Sequence, residues 1–210
     1  MTIDPELQSA HAALVQQFDA VNGAQSNDNN VLASIGSQLA VLKVMLTERD
    51  ILYPHQSDVQ QHKDALVLTR EVLEIGALWS IRVQDTSSFD RYWSQLKPFY
   101  LDLVHALPLS KNYEPIVGLS LLRSLSSNSI ASFHIALESL PMELVRDSPY
   151  IQHPVLLERW LMEGSYSNVW RERENVPLEE YRFFVNILMV TIRHEIASCE
   201  DCLLYTSDAA

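Results

Sequence analysis

The sequence predicts an all-α protein built from stacked antiparallel helical hairpins. Apolar residues recur at the i, i+3, i+4 spacing of one helix face through most of the chain, and no stretch alternates long enough to predict a strand. Glycine is scarce, with 5 in 210 residues, which disfavours a turn-rich β fold. Short polar loops and prolines separate the helical segments, so each pair of helices can bury its apolar stripe against the next. No fixed repeat length is visible, so these would be degenerate repeats of the tetratricopeptide type.

The first half of the chain contains three predicted helices. The first begins at Pro5, because proline is favoured in the first turn, and ends at Gly23. A long third helix is predicted over residues 58–82, after Pro54, which pushes the preceding residue out of the α region. Between them, residues 31–49 form the predicted return helix, with one apolar face at Leu32, Ile35, Leu39, Leu42 and Leu46.

The next helices follow a loop at residues 85–88. One is predicted over residues 89–106 and should be kinked or split at Pro98, which removes a hydrogen bond from the helix interior. Two more are predicted over 115–126 and 129–140, with serines between them that favour a loop and a helix cap.

Two short amphipathic helices and one long apolar helix are predicted after Pro141. The short helices meet at Gly164, which is expected to end the first in the left-handed conformation. Pro177 then breaks the chain before the long helix. Residues 183–192 are apolar on nearly all faces, and a helix of this kind is normally buried on all sides. Preceding repeats can cover only one side, so we expect an exposed apolar face formed by Phe183, Phe184, Val185, Ile187, Leu188, Val190 and Ile192.

Composition excludes several classes of protein. The formal net charge is −12, so a nucleic-acid backbone would be repelled and no nucleic-acid partner is expected. Two cysteines are too few for a disulfide-built secreted domain. The acidic, polar N-terminus does not resemble a signal peptide, and the apolar run at 183–192 is too short to span a bilayer. We therefore expect a soluble intracellular protein without a membrane partner.

No catalytic, metal-binding or cofactor-binding group is legible, and no small-molecule substrate is expected. The seven histidines lack metal-ligand spacing, no G-x-S-x-G elbow occurs, and no phosphate-binding loop is present. The charged run at 171–174 is typical of a solvated helix end. The aromatic residues Trp79, Trp93, Trp160 and Trp170 could be binding hot spots, but apolar neighbours at helical spacing favour core packing for all four.

Several long runs carry a family resemblance. HPVLLERWLMEGSYSNVW at 153–170, NVPLEEY at 175–181 and TIRHEIASC at 191–199 resemble the proteasome lid subunits of the PCI family, whose members join helical repeats to a C-terminal winged helix. The likeness extends upstream through the runs at 68–80, 88–100 and 133–141, and so covers about the last two-thirds of the chain. The resemblance implies a non-catalytic scaffold subunit of the 26S proteasome regulatory particle lid, cytoplasmic and nuclear, that supports ubiquitin-dependent degradation beside other PCI subunits.

Two alternatives remain open. The small PCI subunits of the COP9 signalosome and of translation initiation factor three share the architecture, although EGSYSNVW and TIRHEIASC favour the proteasome. An unrecognised helical hydrolase would need a convergent cleft of carboxylates or a Ser-His pair in three dimensions.

The last nine residues, CLLYTSDAA at 202–210, read as the translation of a transposase sequencing adaptor. We therefore expect residues 1–201 to form the helical-repeat domain, residues 202–210 to be non-native, and the winged helix of the family to be absent. On this interpretation, the C-x-x-C formed by Cys199 and Cys202 is accidental, and Cys199 is a lone helix cysteine.

Overall fold

We describe the chain from a computed structural model. It describes residues 5–24, 29–49, 51–52, 62–104 and 106–207, with the backbone alone at 22–24, 29 and 197–207. Within these ranges the structure is helical and has no strand, which confirms the predicted all-α class. The helices are α1 (Pro5–Ala24), α2 (Asn29–Glu48), α3 (Lys63–Arg82), α4 (Thr86–Leu101), α5 (Tyr113–Ser126), α6 (Ile130–Glu138), α7 (Met142–Asp147), α8 (Pro149–Met162), α9 (Tyr166–Glu172) and α10 (Glu179–Ser207). They fall into two compact units, residues 1–113 and 114–210.

Helices α1 to α4 build the first unit. The His11 ring of α1 lies 3.2 Å from the Glu71 carboxylate of α3, and the Arg82 guanidinium at the end of α3 lies 5.5 Å from the Phe18 ring. Helices α1 and α3 therefore run in the same direction, with α2 packed against both. The predicted apolar face of α2 is buried throughout, at Leu32, Ile35, Leu39, Leu42 and Leu46. This is the hairpin arrangement that the periodicity predicts.

Helix α2 is also long and apolar enough to cross a membrane, judged by length and composition over residues 30–48. Its buried leucines lie on one face and pack against α1 and α3, and Gln38, Lys43 and Thr47 interrupt the remainder. That remainder also carries exposed Val31, Val41 and Val44.

The boundaries of α4 differ from the predicted ones. The helix begins at Thr86, because the Asp85 carboxylate accepts the backbone N–H groups of Ser87 and Ser88 at 3.1 and 3.2 Å. Pro98 lies inside α4 rather than splitting it, and the helix ends at Leu101 instead of residue 106. The early start of the predicted third helix, at residues 58–61, lies outside the described residues.

Gly164 ends α8 in the left-handed conformation, as predicted, with φ of +69°. The Ser165 N–H reaches the Trp160 carbonyl at 2.8 Å, and the Gly164 N–H reaches that of Leu161 at 3.1 Å, which is the Schellman pattern. The same pair of bonds closes α3 at Gln84 (φ 63°) and α5 at Asn128 (φ 55°). Left-handed backbone strains a residue that carries a Cβ, so Gln84 is the least suited of these closing residues.

We expect Gln84→Gly to raise the free energy of unfolding by about 0.5–1 kcal/mol, because glycine removes the Cβ strain at this φ. Gly164→Ala is the matched control: no atom lies within 4 Å of an added Cβ, so any loss of stability reports the φ alone. Urea unfolding followed by circular dichroism measures both changes. A destabilised Gln84→Gly variant would contradict the expectation.

Helices α5 to α10 form the second unit, in which α10 lies along α5. The Tyr181 hydroxyl lies 3.0 Å from the Pro115 carbonyl, and the Thr191 hydroxyl lies 3.0 Å from the Ser126 carbonyl. Since both pairs advance together along the chain, the two helices run in the same direction. Helix α7 is a short element that the periodicity does not predict, because it spans only Met142–Asp147 between two prolines.

Pro154 lies inside α8 and has no N–H to donate to the Tyr150 carbonyl one turn earlier. The Tyr181 hydroxyl of α10 lies 3.2 Å from that carbonyl and 3.0 Å from the Pro115 carbonyl, so its single proton is shared between the two. Gly118 of α5 allows this approach, because an added Cβ would collide with the Tyr181 hydroxyl and the Tyr150 backbone. A proline, a tyrosine and a glycine from three helices thus form one packing site.

The exposed apolar surface on α10 is much smaller than predicted. Phe184 and Val185 are fully buried, Leu188 is buried, and Phe183, Ile187 and Ile192 are half-buried. Among the seven residues expected to form it, only Val190 is strongly exposed, at 64%. The backbone of α10 extends to Ser207. A helical backbone does not show whether residues 202–210 are native, so their interpretation as a translated adaptor stays a prediction.

Candidate interaction surface

The first unit contains a buried polar cluster centred on Glu74 of α3. Its carboxylate accepts hydrogen bonds from the Tyr100 hydroxyl (3.0 Å), the Ser110 hydroxyl (2.7 Å) and the Asn112 amide (3.2 Å). The Arg70 guanidinium lies 3.4 Å away and also donates to the Pro108 carbonyl at 2.6 Å. Burial raises the pKa of Glu74, and the hydrogen bonds and Arg70 oppose that rise.

This cluster connects elements rather than forming a reaction site. Glu74 is 1% exposed, and its donors come from α3, α4 and the loop at 108–112. The adjoining cavity measures about 20 Å³, room for one water molecule and too small for a substrate. The cluster therefore fixes the 108–112 loop against α3.

The histidines in the described part of the chain do not form a common cluster. His11 and His134 each face one glutamate, Glu71 at 3.2 Å and Glu158 at 3.3 Å, and His153 is buried edge-on against Tyr181. Burial lowers the pKa of His153. No group of three His, Cys, Asp or Glu side chains in the described part of the chain could hold a metal ion. The histidines at 55 and 105 and the Cys199 and Cys202 side chains lie outside the described residues, and the expectation of no catalytic or metal site stays a prediction.

The tryptophans separate into two groups. Trp79, Trp93 and Trp160 are half-buried, and Trp79 donates its indole N–H to the Leu32 carbonyl at 2.8 Å. Trp170 on α9 is 47% exposed, so the prediction that all four tryptophans pack in the core is wrong for this one. Its sequence neighbour Val169 is fully buried and takes the inward position on this short helix. Periodicity could not separate the two, since both are apolar.

The guanidinium groups of two arginines lie close to the Trp170 ring. The Arg193 guanidinium lies 4.7 Å from the centre of its ring and that of Arg173 lies 5.8 Å away, both within cation–π range. Arg173 also donates to the side-chain oxygen of Asn186 at 3.0 Å. Val190, 64% exposed, lies one turn beyond Asn186 on α10. We name these five residues, Trp170, Arg173, Asn186, Val190 and Arg193, the Trp170 surface.

The charged members of the Trp170 surface are arginines, in a chain whose net charge is −12. Carboxylates also lie close in the sequence, because Glu172 and Glu174 adjoin Arg173 and exposed Glu179 lies one turn before exposed Arg182 on α10. The Glu172 carboxylate accepts a hydrogen bond from the Asn175 amide at 2.9 Å, and that of Glu195 accepts one from the Asn128 amide at 3.4 Å. The sequence signal for this surface is the pairing of Trp170 with the 171–174 charged run, interpreted above as a solvated helix end.

Other exposed apolar residues include Val41 and Val44 in the first unit and Ile135 and Met142 in the second. Single exposed apolar side chains are normal in soluble proteins and need no binding role. The Trp170 surface differs from them because an aromatic ring, a valine and several arginines occur together. Tryptophan and arginine are the residues most enriched among energetic hot spots of protein interfaces.

Comparison with known proteins agrees with the sequence resemblance. The profile of the CSN8/PSMD8/EIF3K family matches residues 111–202. The 26S proteasome non-ATPase regulatory subunit 8 homolog A of Arabidopsis thaliana is 35% identical over 200 residues, covering 95% of this chain and 72% of that protein. The 26S proteasome regulatory subunit RPN12 of Saccharomyces cerevisiae is 34% identical, over 81% of this chain and 64% of that protein. The 26S proteasome regulatory subunit rpn12 of Schizosaccharomyces pombe is 38% identical, over 78% of this chain and 58% of that protein.

The chain therefore spans between 58% and 72% of the length of these relatives. Sequence identity of 35% over 95% of the chain is more than two unrelated helical proteins would share through similar amino-acid composition. The chain belongs to the family of 26S proteasome regulatory subunits represented by non-ATPase regulatory subunit 8 and RPN12.

Proposed function

We propose that this chain is a structural subunit of the lid of the 26S proteasome regulatory particle and has no catalytic activity of its own. The observation that carries the proposal is the 35% identity to a proteasome regulatory subunit over 95% of the chain. The fold supports it, because stacked helices offer surfaces for neighbouring subunits. Its role in ubiquitin-dependent degradation would be to hold those neighbours in place.

The described residues support a scaffold better than a catalyst. The buried polar groups around Glu74 form hydrogen bonds that join helices and a loop. The cavity beside them is too small for a substrate. The proposed cellular location is cytoplasm and nucleus, and neither nucleic acid, a membrane nor a small molecule is a proposed partner. The net charge of −12 supports the first of these exclusions.

Assembly in other complexes is the second candidate, favoured by one observation. The family profile that matches residues 111–202 carries the names of three subunits, CSN8, PSMD8 and EIF3K. The three relatives named above are all 26S proteasome regulatory subunits, which favours the first candidate.

We expect the tagged chain to co-purify with regulatory-particle subunits from its source cells, measured by affinity purification and quantitative mass spectrometry. Cells with the tag alone are the control. Recovery of signalosome or initiation-factor subunits instead would move the assignment within the family. Enrichment of none of these three assemblies would overturn the proposed function.

A further inference from the structure

We propose that the Trp170 surface docks an acidic polypeptide segment of a neighbouring subunit, one that places an apolar side chain against Trp170 and Val190. The inference rests on the proposed function for the source of that segment, a protein of the regulatory particle. The surface itself is argued from this chain alone. It lies wholly within the second unit, on α9, α10 and the turn after α9.

Existing contacts restrict the exposed indole before a partner arrives. An exposed indole normally loses rotamer freedom on binding, which weakens the complex. The guanidinium groups of Arg193 and Arg173 lie 4.7 and 5.8 Å from the centre of the Trp170 ring, and Arg173 donates a 3.0 Å hydrogen bond to Asn186. These contacts lower the entropy that the ring can still lose on binding, and Trp170 stays 47% exposed.

Charge complementarity at the ring favours an acidic segment. The chain carries 27 acidic and 15 basic side chains, yet the guanidinium groups of Arg193 and Arg173 lie 4.7 and 5.8 Å from the centre of the Trp170 ring. Exposed Glu179 lies one turn before exposed Arg182 on α10, so the acidic segment is expected to pair with Arg173 and Arg193 at the ring and not with the whole helix face. Carboxylates are the groups that guanidinium pairs with in bidentate geometry. An acidic segment with an apolar anchor satisfies both features at once.

A basic patch with an aromatic ring could also suit a single-stranded nucleic acid. Such sites combine a basic groove that follows the phosphates with several aromatic rings for successive bases. This surface offers one exposed ring, in a chain whose net charge of −12 repels a polyanion. An acidic polypeptide, with charges that are sparse and local, is the better fit.

Site-specific photo-crosslinking tests the proposal. A photoreactive residue replaces Val190 in the tagged chain, expressed in its source cells, and crosslinked peptides are identified after purification. We expect acidic peptides of regulatory-particle subunits. The same residue at Ile135, 70% exposed on α6, is the position control. In the Val190-labelled chain, Trp170→Ala and Arg193→Glu should each lower the crosslinked yield by roughly tenfold or more, as expected for a hot spot. Arg146→Glu, a charge reversal at a side chain that is 83% exposed, should leave it unchanged.

The outcomes separate the two proposals. Regulatory-particle subunits recovered at the usual level, with crosslinks from Val190 no stronger than from Ile135 or unaffected by Trp170→Ala, would overturn the docking surface and leave the proposed function standing. Crosslinks to RNA, or to peptides without net negative charge, would also overturn the docking surface. If no regulatory-particle subunit is recovered, the proposed function fails and the inference fails with it. Circular dichroism of each purified variant should match that of the parent, because every substituted side chain is exposed.

Discussion

Replacing Glu74 by alanine is expected to lower the free energy of unfolding of the first unit by about 3–5 kcal/mol, the usual cost of removing one partner from a buried ion pair. The change leaves the Arg70 charge, among the described residues, with the Pro108 carbonyl at 2.6 Å as its acceptor, although Arg70 is 5% exposed. It also removes the acceptor for the hydroxyls of Tyr100 and Ser110 and the amide of Asn112. Urea unfolding measures the loss, and hydrogen exchange should rise first in the 108–112 loop.

Glu71→Ala is the matched control for this change. Glu71 lies on the same helix and faces the His11 imidazole at 3.2 Å, but its side chain is 44% exposed. Burial lowers the pKa of His11, so near pH 7 the imidazole is neutral and Glu71→Ala breaks no ion pair. This variant should therefore unfold almost as the parent does. The double variant Arg70→Met/Glu74→Met should regain part of the loss, because it removes the stranded charge together with its partner. Equal stabilities for Glu74→Ala and Glu71→Ala would contradict the role given to the cluster.

The second large effect is expected at Gly118. In a helix interior without close neighbours, Gly→Ala usually stabilises a protein by about 0.5–1 kcal/mol. Here the new methyl group would collide with the Tyr181 hydroxyl and the Tyr150 backbone. We therefore expect Gly118→Ala to destabilise the second unit by about 2–4 kcal/mol, combining overpacking with a displaced hydroxyl. Urea unfolding and hydrogen exchange in α5 and α10 measure the effect.

A double-variant cycle with Tyr181→Phe identifies the cause. Tyr181→Phe alone loses the hydroxyl that lies 3.0 Å from the Pro115 carbonyl and 3.2 Å from that of Tyr150. In Gly118→Ala/Tyr181→Phe the phenyl ring leaves more room for the methyl group, so the double variant should be less destabilised than the sum of the single changes. Strict additivity would mean that the Tyr150 backbone alone opposes the methyl group. Any stabilisation by Gly118→Ala would contradict the close packing of α5, α8 and α10.

Much of the fold could be predicted because the residues that begin, form and end a helix lie close together in the sequence. The leucines of α2 recur on one face, Gly164 closes α8, and prolines mark most of the breaks. The predicted start and end of α4 were wrong, and the reasons also lie in nearby residues. Asp85 caps the helix earlier than expected, and α4 is not split at Pro98, since it continues to Leu101. The runs that carry the family resemblance are equally local, and the relatives at 34–35% identity confirm the family that these runs indicate.

By itself the sequence determined the all-α class, most helix positions and the family. Only the tertiary structure decided which side chains are covered, because burial depends on the neighbour that a helix face meets and not on the period of that face. No sequence pattern singled out Glu74, which Ser110 and Asn112 reach from a loop distant in sequence. Trp170 reads as core, yet Val169 occupies the inward position and leaves the indole between two arginines. On α10 the buried residues Phe184 and Leu188 and the exposed Val190 are equally apolar, so their positions within the folded unit separate them.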